Sequence, residues 1–291
     1  MALTLLANTP SKGCLTLAST GKTVSISGEE ALIVWDAAHQ REDFVRRADF
    51  QTNAKDFGFL VPVPSTPRLT EVDQTVFDIV HKYIAPETRG MALSKAAAVP
   101  SANAVDVVSR QEVAGYDTSV LAASDSAKLE QWLRENHYQV PGGFQDWVKP
   151  YVDAGWKLVA FKMTKPDDGV AVSSKLVRIS FQTDRPYYPY REPRESTQPL
   201  PTGRQLRVYV LSSTPVDAIF GTANTRWVGY RLSPHSNINR NYLEQTATRL
   251  SMKRSDLPST PTLSTFFDNS SPRIGTNDVW FQPSDVKVSG Q

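Results

Sequence analysis

Eleven consecutive residues, Asp184-Arg185-Pro186-Tyr187-Tyr188-Pro189-Tyr190-Arg191-Glu192-Pro193-Arg194, hold three tyrosines, three arginines and three prolines. Tyrosine and arginine offer large contact areas with polar tips, the composition of binding surfaces, and proline narrows the conformations open to the chain. Three closely spaced prolines cannot donate ladder hydrogen bonds, so the pattern predicts an exposed, stiff loop outside the sheet core. In that loop Tyr187, Tyr188 and Tyr190 would supply stacking area, and Asp184, Arg185 and Arg191 polar contacts, to an anionic or sugar-like ligand. The same residues also fit a structural staple, with Asp184 paired to Arg185 or Arg191 and the tyrosines covering a sheet edge.

Other chemistry finds less support. No Gly-x-Gly occurs, and Gly21-Lys22-Thr23 lacks the earlier glycine of a phosphate loop, so neither a dinucleotide fingerprint nor a phosphate cradle is expected. His39, His81, His137 and His235 are too far apart for a local metal pair, and Asp167-Asp168-Gly169 lacks the later acid of a calcium loop and reads as a turn. There is no Gly-x-Ser-x-Gly elbow. No metal, no cofactor and no assigned catalytic residue are therefore expected. A hydrolase or lyase would need scattered carboxylates such as Asp117, Asp184 and Glu192 to be gathered by the fold.

A chain of 291 residues with formal charge +2, 40% apolar and 21% charged residues is that of an ordinary folded protein. It has no bulk charge to drive nucleic-acid binding. Cys14 is the single cysteine, which rules out an internal disulfide. Lys12 stands where a lipid-attachment signal wants a small apolar residue, so Cys14 is expected as a free or buried thiol. No apolar run reaches the roughly 18 residues of a membrane span. Ala2 to Ala7 resembles the end of a secretory apolar region but has no basic residue before it.

The elements that must position these residues follow from periodicity. Residues 31–63 predict a three-strand antiparallel meander in which Trp35, Phe44, Phe57 and Phe59 supply a nucleus of large apolar side chains. It ends on Val61-Pro62-Val63-Pro64, which should leave the sheet or follow its edge. A helix is predicted from Thr70, by capping-box spacing to Asp73, until Pro86, and residues 87–104 read as a loop. A bent strand or strand pair spans 105–121. Ser124 or Asp125 should cap a helix over Leu129, Trp132 and Leu133, and Pro150 should split 144–154 into two short turns.

Strands are predicted at 156–163, 176–181, 206–211 and 227–232, with a short helix from Thr214 and Pro215 to Gly221 between the last two. A helix at 239–251 and apolar runs at 263–267 and 279–281 follow. The fold class is α+β, with a mainly antiparallel sheet, a few packed helices and a smaller C-terminal appended unit. The division is an N-terminal segment 1–27, a main domain 28–232 and an extension 233–291.

Seven blocks carry a resemblance: 30–36 (Glu-Ala-Leu-Ile-Val-Trp-Asp), 41–44 (Arg-Glu-Asp-Phe), 56–64 (Asp-Phe-Gly-Phe-Leu-Val-Pro-Val-Pro), 76–78 (Val-Phe-Asp), 116–121 (Tyr-Asp-Thr-Ser-Val-Leu), 129–133 (Leu-Glu-Gln-Trp-Leu) and 180–186 (Ser-Phe-Gln-Thr-Asp-Arg-Pro). In order and spacing they resemble the bacterial family catalogued as domain of unknown function 2330. That resemblance implies an exported bacterial protein and assigns no activity or catalytic residue. Combined with the residues above, it leads to the expectation of a non-enzymatic module of the cell envelope, periplasmic, secreted or on the cell surface. Its partner would be an envelope protein or a polar or anionic ligand.

Overall fold

The computed structural model describes residues 15–19, 21–84, 107–123, 125–164, 171–193, 205–221, 225–232, 234–236, 238–270 and 277–284. Residues 2–7, Cys14, the 87–104 loop, the Asp167-Asp168-Gly169 turn and Arg194 lie outside them.

In chain order the elements are β1 (Thr16–Ala18), β2 (Val24–Asp36), β3 (Arg41–Thr52), β4 (Asp56–Val63), β5 (Arg68–Glu71), α1 (Val76–Ile84), β6 (Val107–Val113), β7 (Tyr116–Ala122), α2 (Ser126–Glu135), α3 (Phe144–Asp153) and β8 (Lys157–Thr164). They continue with β9 (Ala171–Ser173), β10 (Val177–Gln182), β11 (Tyr187–Tyr188), β12 (Gln205–Ser212), β13 (Val216–Phe220), β14 (Thr225–Arg226), β15 (Tyr230–Arg231), α4 (Arg240–Arg249), β16 (Thr262–Asp268) and β17 (Val279–Pro283).

Three sheets result. The large one runs β15-β16-β12-β2-β3-β10-β5, with β9 also on β3; a second runs β1-β4-β8-β7-β6; a third runs β11-β17-β13-β14. Pairing is antiparallel throughout the described residues except between β2 and β12, so the antiparallel-dominated α+β expectation holds.

Period-two alternation sorts the strands into layers. Ile33, Phe44, Ile179 and Val208 on the large sheet meet Phe57, Phe59, Val159 and Phe161 of the second sheet, together with Val216 and Phe281 of the third, in the central core. On the other face of the large sheet, Leu32, Val34, Val45 and Tyr209 pack under α1 and α4. The outer face of the second sheet, through Leu17, Leu60 and Leu158, lies under α2 and α3.

Several expectations change here. The 31–63 segment is no single meander: β2 pairs with β3, but β4 crosses to the second sheet between β1 and β8. Phe50 of β3 then meets Phe57 of β4 edge-on and stacks on Phe59, with ring centroids 5.0 and 5.7 Å apart. Trp35 is only half-buried and stands outside this nucleus. Pro62 does not leave the sheet: it lies in β4, opposite Leu158 of β8. Leu60 N–H donates to Leu15 O at 2.9 Å, so the nitrogen of Pro62, two residues on, faces the β1 side beyond the pairing that the described residues make.

Thr70 lies in β5, and α1 starts only at Val76, after Asp73 accepts from Thr75 N at 2.8 Å. The predicted helix after Pro215 is instead β13. Five residues make a poor helix, whereas Val216 and Ala218 alternate into the core along a full ladder with β17. Residues 144–153 form one helix despite Pro150, which is exposed, so the carbonyl it leaves without an intrahelical partner can reach water.

Residues after Pro234, read from sequence as a smaller appended unit, enter two of the sheets. β16 pairs with β12 over seven positions, and β17 lies between β11 and β13. Likewise β1 and the start of β2, within the 1–27 segment, pair with β4 and β3.

Candidate functional site

The Tyr/Pro/Arg segment is where sequence and structure part most. Tyr187, Tyr188 and Tyr190 are at most 1% exposed, so the expected exposed loop is instead an inner clasp. Tyr187 and Tyr188 form β11, opposite Trp280 and Val279. The prolines are accommodated because this strand is two residues long and flanked by them.

Each phenol reaches an internal acceptor: Tyr187 donates to Pro62 O at 2.9 Å, Tyr188 to Glu29 Oε1 at 3.3 Å and Tyr190 to Asp268 Oδ2 at 2.8 Å. Buried tyrosine is tolerated when its hydroxyl is satisfied, and the acids that do this sit on distant strands. Arg185 stacks over Trp280 at 4.4 Å and Arg191 lies over the Tyr151 ring at 5.8 Å. Of the six residues singled out, Asp184 alone is exposed.

Two acids near this clasp are buried in their protonation-sensitive state. Glu42 accepts from Tyr187 N at 2.8 Å through Oε2, while its Oε1 is enclosed without a hydrogen-bond partner. Burial pushes its carboxyl well above the ordinary value of 4.5; the Tyr187 N–H opposes this and Asp43 adds to it. Burial likewise raises Asp278 above 3.8, against hydrogen bonds from Arg191 N and Tyr151 Oη. A carboxyl with a raised native pKa binds its proton more tightly folded than unfolded, so its stabilisation declines as pH rises above the unfolded value.

Glu30 behaves oppositely. Burial raises it, but His81 and Arg47 outweigh burial and hold it below 4.5, so its contribution is lost as pH falls below that value. Glu42 and Asp278 are therefore expected to make thermal stability decline as pH rises above their ordinary values of 4.5 and 3.8. Glu42→Gln should flatten that decline, which melting curves taken across that range will check; an unchanged slope would show that Glu42 is not its source.

The more accessible chemistry lies on the helix-side face of the large sheet, beyond the end of α4. Because Val177, Ile179 and Phe181 of β10 face the core, Arg178, Ser180 and Gln182 face the other way. Register sets Asp43 opposite Ser180, Arg41 opposite Gln182 and, on β5, Arg68 opposite Ser180. The α1 and α4 layer covers Val45 but ends short of these polar positions. They floor a groove of about 350 Å³, with Thr66, Met252 and Asp256 on its walls.

Within the groove most charge is paired. Asp43 accepts from Arg41 Nε at 3.1 Å and from the Ser180 hydroxyl, and its Oδ1 lies 3.4 Å from Arg178 Nε. Arg178, 7% exposed, donates through Nη1 to Leu250 O at 2.7 Å and to Ser251 O at 3.2 Å. Burial lowers its guanidinium pKa; Asp43 and, less, Asp256 offset this, while Arg68 and Arg41 push the same way as burial. The Arg68 side chain is exposed and makes no hydrogen bond or ion pair among the described residues.

The groove was legible only in part. The alternation of Val177, Ile179 and Phe181 implies that Arg178, Ser180 and Gln182 share the opposite face, but nothing local brings Arg41 and Arg68 beside them. Asp117 lines a smaller cavity of about 50 Å³ with Tyr138 and Lys162; Asp184 and Glu192 line neither. His39 bonds Asp36 at 2.6 Å and His81 bonds Glu30 at 2.7 Å. Among the described residues no three His, Cys, Asp or Glu side chains gather as a metal site, and no helix is long and apolar enough to cross a membrane.

A family model described as "Uncharacterized protein conserved in bacteria (DUF2330)" matches residues 9–247. No curated protein matches. Among solved structures, the crystal structure of baculovirus P35 aligns with TM-score 0.43 and 8% identity, over 90% of this chain and 98% of that one.

Proposed function

The chain belongs to the bacterial family DUF2330, and we propose that it is a non-enzymatic binding module that takes a small ligand by its anionic group in the groove floored by Arg41, Arg68 and Arg178. Arg68 carries this reading. It is an exposed cation whose side chain has no partner among the described residues, set on an edge strand beside two other guanidinium groups. Asp43 already pairs Arg41 and Arg178, which leaves the Arg68 guanidinium to meet a ligand, and its planar donors match carboxylate and phosphate oxygens. A volume of about 350 Å³ is at the small end of ligand sites, about 300–1,000 Å³.

The extracytoplasmic setting implied by the family resemblance accompanies this reading, and fractionation of cells expressing the full-length gene product checks it. Binding itself is tested with inorganic phosphate. At matched ionic strength, phosphate is expected to raise the melting midpoint over chloride by mass action. Arg68→Gln should abolish that rise while changing stability without phosphate by no more than about 0.5 kcal/mol, as for an exposed side chain. Equal responses of wild type and variant would reject the groove as the site.

A further inference from the structure

The charge left over after internal pairing narrows the ligand class, and this step rests on the groove being a binding site. Arg41 is paired with Asp43 and with Asp36, and Arg178 with Asp43. One cation, Arg68, and one anion, Asp256, remain without an ion-pair partner among the lining residues. Asp256 accepts only a neutral backbone N–H, that of Lys253 at 2.9 Å, through Oδ2. The two stand on different elements that both line the groove, Arg68 on the edge strand β5 and Asp256 at the end of a single helical turn, Arg254–Asp256, after α4.

We propose that the groove recognises a zwitterion of amino-acid or short-peptide size, its carboxylate held by Arg68 and its ammonium group by Asp256. A multiply charged anion such as phosphate would gain from Arg68 but face the Asp256 carboxylate, which has no ion-pair partner among the described residues, in the same small volume. A molecule with one charge of each sign satisfies both residues and leaves the Asp43 cluster intact. Ser180 and Thr66 add hydroxyls that can donate or accept along a peptide unit. Met252 supplies apolar wall for a side chain, and its flexible thioether tolerates several shapes.

The test uses the full chain and four probes in isothermal titration calorimetry: L-alanyl-L-alanine, its N-acetylated form, its C-terminal amide, and inorganic phosphate. The free dipeptide is expected to bind at least about tenfold more tightly than any of the other three, as when a further charge contact is made. Arg68→Gln should weaken the dipeptide and the acetylated form but not the amide. Asp256→Asn, which retains an oxygen for the Lys253 N–H, should weaken the dipeptide and the amide but not the acetylated form. Phosphate or the acetylated peptide binding as tightly as the dipeptide would overturn the zwitterion while leaving an anion site standing. Failure of all four probes to bind would overturn both.

Discussion

Tyr188→Ala is expected to lower stability by about 3–5 kcal/mol, the cost of emptying a buried aromatic site. The ring is 0% exposed and packs 6.2 Å, centroid to centroid, from Phe44 in the central core. Its phenol donates to Glu29 Oε1 at 3.3 Å, so truncation also removes a donor from a buried carboxylate. Tyr188→Phe separates the two effects. It keeps the ring and should cost about 1–3 kcal/mol, the range for a buried polar group deprived of a partner. Urea unfolding of both variants checks the order. If Tyr188→Ala melts like the wild type, the segment is not the clasp described here, and its tyrosines regain their standing as a ligand surface.

The second large effect is expected at the same carboxylate oxygen, Glu29 Oε1. Arg46 donates to Glu29 Oε1 from Nε at 2.9 Å and from Nη2 at 2.6 Å, and the two side chains are 5% and 0% exposed. The guanidinium also lies 5.3 Å over the Phe59 ring. Arg46→Ala strands Glu29 in the core and should cost about 3–5 kcal/mol, the usual penalty for breaking a buried pair. Removing both charges at once, as in Glu29→Leu with Arg46→Met, should be less harmful than Arg46→Ala alone, because no charge is left unpaired. A double variant as unstable as the sum of its singles would contradict this. Tyr188→Phe and Arg46→Ala share Glu29, so their effects should not add.

These two expectations place polar chemistry inside the core, where composition alone would not put it. The acids that satisfy the tyrosines, Glu29 and Asp268, lie 159 and 78 residues away in sequence from Tyr188 and Tyr190. A proline-rich run of tyrosines and arginines has the same local appearance whether such acids wait behind it or water does. Composition therefore pointed to a surface, and the ring burial that decides the matter is a property of three sheets closing on one another.

What the sequence determined by itself was everything governed by short-range repetition. The period of two in Val177, Ile179 and Phe181 and in Leu206, Val208 and Val210 gave strands with one core face. The helix after Asp125 and the helix after Asn239 begin where a side-chain oxygen can accept the first orphan amides, at 2.7 Å to Ala127 N and 2.8 Å to Tyr242 N. The ordered blocks that resemble the family were likewise readable in one dimension.

Tertiary structure alone decided which sheet each strand joins and which polar faces stay uncovered. Cap and turn residues at Thr214, Pro215 and Gly221 suit a helix locally, yet a ladder with β17, more than sixty residues on, makes the segment a strand. Arg41, Arg68 and Arg178 meet because β3, β10 and β5 are neighbours in that order, and because α4 ends before covering them. Side-chain alternation is set by the backbone of one strand, whereas strand order and helix coverage are set by long-range burial that no local spacing encodes.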